Sequence, residues 1–332
     1  MKTPNTSNFL KEVAQKRIMI IGDVMVDSYL WGQVNRISPE APVPIVDVTK
    51  REYRLGGAAN VALNIQAMGA TPIICSVIGN DPKGEIFFDL LKESKISSQT
   101  VFKSSERCTT TKFRIIGNNT QMLRVDEENR HELSATEEKK LLAIISKVIQ
   151  TQSVDAIIFQ DYDKGVITKS LIENVVKLAK KRGIPTCVDP KKHHFLDFKD
   201  VTLFKPNLKE LSEGLNISFD AKNLKEVEKA MKFLQKQLSA DIVFTTLSEL
   251  GVAIMDKKTF FHNPAHIRQI ADVSGAGDTV ISVAALCLTL GLPIQPLAKI
   301  ANLAGGLVCE SVGVVSVDKH RLLSEIKIHK SL

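Results

Sequence analysis

Aromatic side chains are scarce: phenylalanine, tryptophan and tyrosine make up 5% of the 332 residues, with one tryptophan and three tyrosines. Proteins that hold single-stranded nucleic acid stack bases on aromatic faces, so the basic runs Lys180–Arg182 and Lys191–His194 read as solvated surface. The five cysteines, at 75, 108, 187, 287 and 309, are odd in number, widely spaced and free of any Cys-x-x-Cys pair. That argues against a disulfide framework or a zinc site and fits a reducing cytoplasm. Long apolar runs are missing too. The longest, Val280–Leu292, is interrupted by Ser282 and Thr289 and closed by Pro293, too short to span a bilayer. The N-terminal stretch lacks the apolar core of a signal peptide. No Walker Gly-x-x-x-x-Gly-Lys-Ser/Thr string, internal repeat or Gly/Ser linker occurs. The expectation is one cytoplasmic domain over residues 1–332, with neither membrane nor nucleic acid as partner.

What is present is ordinary globular composition, 44% hydrophobic and 24% charged, with 44 basic against 37 acidic residues. The net charge of +7 mildly favours anionic partners. Short apolar runs (Ile18–Ile21, Ile73–Ile78, Ala156–Phe159, Thr186–Val188, Ile242–Thr245) alternate with helical patterns (Ala58–Met68, Glu85–Lys95, Ser134–Gln150, Ser170–Arg182, Leu224–Leu238). Ser134 and Glu137 form a capping signal at the start of one of them. Val252–Met255 and Thr259–His262 read as a hairpin, and Asp278–Leu290 and Pro296–Val312 as closing helices. This rhythm predicts an α/β fold, a doubly wound and mostly parallel sheet. Two N-terminal segments break it: 28–49, with three prolines, and 109–126, with two strands around Gly117-Asn118-Asn119. They predict a small separate β-sheet lying over one edge.

The strongest local signal is Asp272-Val-Ser-Gly-Ala-Gly-Asp-Thr279 before an apolar helix. Gly275, Ala276 and Gly277 can turn backbone amides toward an anion at a helix N-terminus, and Asp278 could take a proton from a substrate hydroxyl, as phosphoryl transfer to an alcohol requires. A Gly-rich turn capped by Asp278 explains the same string. Gly56-Gly57-Ala-Ala-Asn60 opens another helix; it suits either close packing or an amide contact to a polyol. Asp23 and Asp27 flank the end of the first strand, where open α/β sheets bind ligands; a capped, solvated turn accounts for them equally. His262-Asn-Pro-Ala-His266 has zinc-like spacing, but Pro264 forbids the helix that would align the two rings.

These elements, in this order, resemble the ribokinase-like, or phosphofructokinase-B, sugar kinases over residues of about 15 to 325. Gly-Gly-x-x-Asn and Asp-x-x-Gly-Ala-Gly-Asp match that family's two signatures, and Asn207-Leu208-Lys209-Glu210 matches its Asn-x-x-Glu motif. Gly22–Asp27, Arg36–Pro44, Leu123–Asp126, Asp161–Gly165, Val188–Lys191 and Thr245–Glu249 are similar to the heptose-7-phosphate kinase branch. The resemblance implies a ribokinase-like fold with a β-sheet lid, and ATP-dependent phosphorylation of O1 of D-glycero-β-D-manno-heptose 7-phosphate, a step toward lipopolysaccharide core. It makes Asp278 the base and the 275–277 amides the anion hole. ATP would lie along Asn207–Glu210, Thr245, Ser248, Glu249, Gly251 and Asn302, with Mg²⁺ held partly through water by Glu210. The sugar would lie among Asp23, Asp27, Gly56, Gly57 and Asn60. Its phosphate would meet Lys164 and Lys191, with Arg36 and Arg124 in the lid as further cations. Asp272 and Ser274 stand where relatives often build a K⁺ site.

Relatives often pair their lids, so a homodimer is expected, through an apolar face that includes Leu30, Val46 and Ile115. Other readings are a kinase of the same family acting on another sugar, sugar phosphate or nucleoside, and a catalytically idle sugar-binding regulator. The kinase-like pattern runs to about Val317, and no His-x-Gly-His string is present. A second, nucleotidyltransferase activity is therefore not expected of this chain.

Overall fold

The computed structural model describes residues 8–266 and 268–331. The chain opens with α1 (Phe9–Val13), β1 (Arg17–Gly22), β2 (Val24–Ile37), β3 (Pro44–Gly57), α2 (Ala58–Ala67) and β4 (Thr71–Gly79). It continues through α3 (Pro82–Glu93), β5 (Val101–Ser104), β6 (Thr111–Gly117), β7 (Thr120–Glu127), α4 (Ala135–Thr151), β8 (Ala156–Gln160), α5 (Lys169–Arg182) and β9 (Thr186–Asp189). Then come β10 (Leu203–Phe204), α6 (Leu208–Leu215), α7 (Leu224–Leu238), β11 (Ile242–Thr246), β12 (Val252–Met255) and β13 (Phe260–Asn263). Helices α8 (Ala276–Thr289), α9 (Ile294–Val308) and α10 (Lys319–Ile328) close the chain.

Nine strands form the main sheet in the order β13-β12-β11-β10-β9-β8-β1-β4-β5. Pairing is parallel except where β12 runs against β11 and β13. Side chains alternate across a strand, and β1 shows the consequence. Ile18 and Ile20 enter one core with α2, α8 and α9, while Met19 and Ile21 enter a second core with α4, α5 and α7. A strand buried on both faces must be apolar at every position, and β1 is Arg-Ile-Met-Ile-Ile-Gly.

A second sheet of four strands, β3-β2-β6-β7, is the lid. Its first two strands reach further into the body than the apolar pattern of 28–49 implies, because the β2–β3 ladder runs from Val24↔Gly57 to Ile37↔Pro44. Gly57 makes that close approach possible: its φ is +61°, and a Cβ there would lie 2.4 Å from Asp23 O. Helix α9 begins at Ile294, before the expected Pro296, since proline is tolerated in a first helical turn, where no intrahelical N–H partner is needed. Two-residue β10 is too short to leave a periodic signal. Among the described residues no helix is long and apolar enough to cross a membrane.

Candidate active site

Asp278 sits in the first turn of α8 and is 6% exposed. An ionised carboxylate offers about four lone-pair sites, and three are taken. Asn60 Nδ2 donates to one oxygen at 2.7 Å, and Gln160 Nε2 (3.1 Å) and Tyr162 Oη (2.8 Å) donate to the other. One acceptor position remains for a substrate hydroxyl. Burial raises the Asp278 pKa to about 6; Asn60 opposes the shift, the Asp189 carboxylate adds to it, and Tyr162 and Lys205 oppose it.

The backbone beside Asp278 supplies donors. Gly275 is the N-cap of α8 at φ +81°, a conformation that favours glycine. The Ala276 N–H turns to Val273 O at 3.3 Å, while the N–H groups of Gly275 and Gly277 have no acceptor among the described residues. A Cβ on Gly277 would sit 3.7 Å from Lys205 Nζ and 3.8 Å from Asp189 Oδ2. Lys205 and Asp189 form a buried pair at 3.1 Å. The N-terminus of α8 thus offers free amides with a lysine at its rim, an arrangement suited to an anionic group.

Asn207 and Glu210 are reciprocal caps of α6. Each side chain accepts from the other's backbone N–H at 2.8 Å, so the Asn-x-x-Glu string is also a capping box. The free Glu210 oxygen meets Lys191 Nζ. Burial alone would lower the Lys191 pKa, but the Asp189 and Glu210 carboxylates raise it above the usual lysine range. Leu208 packs against the core and Lys209 pairs with Glu213 on the surface. Thr245 is buried near the end of β11, and its hydroxyl has no partner among the described residues. Ser248 and Glu249 lie in an exposed one-turn 3₁₀ helix that ends at Gly251, and Asn302 donates to Pro264 O at 2.9 Å.

Several sequence-based expectations meet a different partner here. Lys191, expected at the sugar phosphate, is paired with Glu210, because both stand beyond the ends of neighbouring strands β9 and β10. Asp23, expected at sugar hydroxyls, accepts the N–H groups of Tyr162 (2.8 Å), Lys164 (3.2 Å) and Val166 (3.0 Å). It holds the loop after β8 in place; burial raises its pKa against those three donors. Asp27 pairs with Arg114 at 2.5 Å, and a Cβ on Gly56 would strike the Asp27 carboxylate at 2.5 Å. Asn60 reaches the carboxylate of Asp278. Arg36 is exposed on β2, and Arg124 pairs with Asp126 at 3.0 Å on β7; neither joins the group around Asp278. Asp272 accepts from the N–H groups of Ser274 in its own loop and Gly313 in the segment after α9, both at 2.9 Å, so its carboxylate ties the two segments together, and Ser274 is exposed.

Lys164 borders a cavity of about 410 Å³ whose wall includes Arg130, Glu132, Tyr162, His193 and His194. Lys164 and Arg130 share Glu128, at 2.8 and 3.0 Å. Tyr162 links this cavity to Asp278. Gln160 and Lys205 carry no motif signal, and Tyr162 and Asp189 fall inside the Asp161–Gly165 and Val188–Lys191 strings without a role assigned to them. Each lies at or just past the end of a parallel strand, β8, β9 or β10, and that position was the available signal.

The chain is 36% identical over 331 residues to the bifunctional protein HldE of Syntrophotalea carbinolica, covering 99% of this chain and 66% of that protein. It is 38% identical over 331 residues to HldE of Desulfatibacillum aliphaticivorans, covering 98% and 66%. It therefore spans slightly less than two thirds of the length of these relatives. In fold it is similar to phosphofructokinase-2 from Escherichia coli in complex with potassium, at a TM-score of 0.79, 19% identity and coverage of 96% and 100%. It is also similar to Arabidopsis thaliana ribokinase complexed with ribose and ATP, at 0.72, 16%, and 93% and 99%. The pfkB family carbohydrate kinase pattern matches residues 15–320, a stretch that takes in both sheets, the Asn60 helix and the Asp278 turn, and so this chain belongs to the pfkB family of carbohydrate kinases.

Proposed function

We propose that the chain transfers the γ-phosphoryl group of ATP to O1 of D-glycero-β-D-manno-heptose 7-phosphate, giving the 1,7-bisphosphate. The observation that carries the kinase chemistry is Asp278, a buried carboxylate with one free acceptor position beside unpaired amides. In this reading the remaining lone pair of Asp278 takes the hydroxyl proton as O1 forms its bond to the γ-phosphorus. The bond from that phosphorus to the β,γ-bridging oxygen breaks, and ADP leaves. The N–H groups of Gly275 and Gly277, with Lys205, take the charge on the moving phosphoryl oxygens. Asn60, Gln160 and Tyr162 fix the direction of the carboxylate.

ATP lies along Asn207–Glu210, Thr245–Gly251 and Asn302, where the Thr245 hydroxyl has no partner among the described residues. Mg²⁺ takes oxygen donors and is commonly held by one or two carboxylates plus substrate phosphates. Asp189 and Glu210 fit that donor set, and with Lys191 already on Glu210 the contact there would run through water. The ion would supply charge neutralisation on the β- and γ-phosphates.

The heptose reading rests on the sequence likeness described above and on the cavity at Lys164. A phosphorylated sugar needs cations at the end away from O1, and Lys164 and Arg130, which share Glu128, border the same cavity as Tyr162. Lys164→Ala removes one charge-assisted contact, worth about 1.5–3 kcal/mol. KM for the phosphosugar should rise about 10–100-fold while KM for ATP stays near wild type. Equal turnover of phosphorylated and unphosphorylated heptose by the wild-type protein would overturn the assignment.

The lid supports a homodimer. Among the described residues strands β3 and β7 are its unpaired edges and β7 is exposed along its whole length; of the expected apolar face, Leu30, Val46 and Ile115 are half-buried, and the exposed apolar residues of the lid are Ile37, Val43, Val48, Met122, Leu123 and Val125. Unpaired edges and apolar faces are usually covered, and the lid of a second copy covers both. Sedimentation should give a dimer at micromolar concentration; a monomer under those conditions removes the proposal.

A further inference from the structure

Glu132, in the segment between β7 and α4, and His193 and His194, in the turn after β9, bring one ligand atom each to within 4.8 Å of one another. Glu132 Oε1 lies 3.1 Å from His194 Nε2 and 3.7 Å from His193 Nε2. The second nitrogen of His194, Nδ1, lies 2.9 Å from Asp197 Oδ2. A neutral imidazole donates from one nitrogen only. If His194 Nδ1–H donates to Asp197, the Nε2 lone pair faces a carboxylate oxygen, and a proton or a metal ion between them makes that arrangement favourable. One proton could bridge His194 and Glu132. His193 Nε2 approaches the same oxygen from a ring set at 81° to the first, so two imidazoles and a carboxylate converge on one place.

We propose that Glu132, His193 and His194 form a binding site for a divalent transition-metal ion of the zinc type, with Asp197 as a positioning residue for His194. An ion about 2.0–2.1 Å from each ligand at the corners of a tetrahedron sets ligand–ligand edges of about 3.3–3.4 Å. The two distances to Glu132 bracket that value. Two imidazoles and one carboxylate suit zinc, cobalt or nickel rather than magnesium. A carboxylate behind a ligating histidine is the usual second partner of such rings, fixing tautomer and direction. All three ligands border the cavity of Arg130 and Lys164, which leaves a fourth coordination position for water or an anionic oxygen. The three ligands are distinct from the groups that bond Asp278, but they border the cavity in which the proposed substrate phosphate would meet Lys164, so metal binding is measured with no sugar present.

The test uses the tag-free full chain, stripped with chelator and titrated calorimetrically with Zn²⁺ in excess Mg²⁺. One ion should bind per chain. His193 is 69% exposed at its side chain, so His193→Ala should fold, and it should bind at least about tenfold more weakly. Glu132→Gln should do the same. Asp197→Asn should cost about 10–100-fold in affinity with unchanged stoichiometry. Co²⁺ should give a d–d spectrum without thiolate charge transfer. No binding by the wild-type chain, equal affinity in His193→Ala, or a thiolate band implicating Cys108 would each overturn the proposal.

Discussion

Replacing Asp278 by asparagine should lower kcat by about 100–10,000-fold, the usual cost of removing a general base. Asparagine preserves volume and keeps an oxygen to accept from Tyr162 and Gln160, so folding and ATP binding should persist. Its amide nitrogen cannot take a proton. That nitrogen would also face Asn60 Nδ2, now 2.7 Å from the carboxylate, so the Asn60 side chain should turn. Measuring ATP affinity and kcat on the same preparation separates lost chemistry from lost structure. More than half of wild-type kcat would take Asp278 out of the mechanism.

The same residue sets a pH dependence. Its pKa is raised to about 6 by burial, and only the deprotonated form accepts a proton. The profile of kcat/KM should therefore be level on the alkaline side of pH 6. It should fall by about tenfold per pH unit below that. The variant should lose this acid limb. A wild-type limb centred near pH 4 would mean that the carboxylate is solvated in the working enzyme.

The largest loss of stability should follow Lys205→Met. Lys205 is 2% exposed and Asp189 4% exposed, and they pair at 3.1 Å. A buried charge deprived of its partner typically costs about 3–5 kcal/mol, a large share of the roughly 5–15 kcal/mol that stabilises a folded protein. Urea denaturation should show a shift of that size. The double variant Asp189→Asn/Lys205→Met should recover part of it, since no buried carboxylate is then left without the cation that pairs with it; Gln160, which donates to Asp189 at 3.2 Å, can still donate to the asparagine oxygen. A single-variant loss below about 1 kcal/mol would mean that water reaches Asp189. Because Lys205 also stands at Gly277, the double variant should remain poor in turnover even as it regains stability. That split tells a purely structural ion pair from one whose members also serve the proposed reaction, Lys205 at the phosphoryl group or Asp189 at Mg²⁺.

Much of the fold was legible because burial on both faces imposes unbroken apolar runs. Ile18–Ile21 and Ala156–Phe159 could hardly be anything but central strands of a covered sheet. The lid was legible for the opposite reason: its strands alternate, Pro39, Pro42 and Pro44 mark the turn between two of them, and together they interrupt the helix–strand rhythm. The site was legible where the chemistry is local. Gly275–Asp278 is a turn, a helix start and a carboxylate in four consecutive residues, and its identity needs no distant partner to be noticed.

The partners of each charge were not legible in this way. Asn60 and Asp278 are 218 residues apart, and Asp23 and Val166 are 143 apart. Chemical type says only that an amide or a carboxylate will be satisfied when buried, not by whom. Lys191 reads equally well as a sugar-phosphate ligand or a carboxylate partner until strands β9 and β10 are side by side; their adjacency sets Lys191 on Glu210 and Lys205 on Asp189. Local pattern along the chain thus determined the layered α/β architecture, the lid and the Gly-Ala-Gly-Asp turn, because backbone hydrogen bonding and apolar periodicity act over a few residues. Only the tertiary structure decided which carboxylate stayed available as a base and which became a structural anchor, because ion pairs and buried hydrogen bonds depend on distances that sheet order creates.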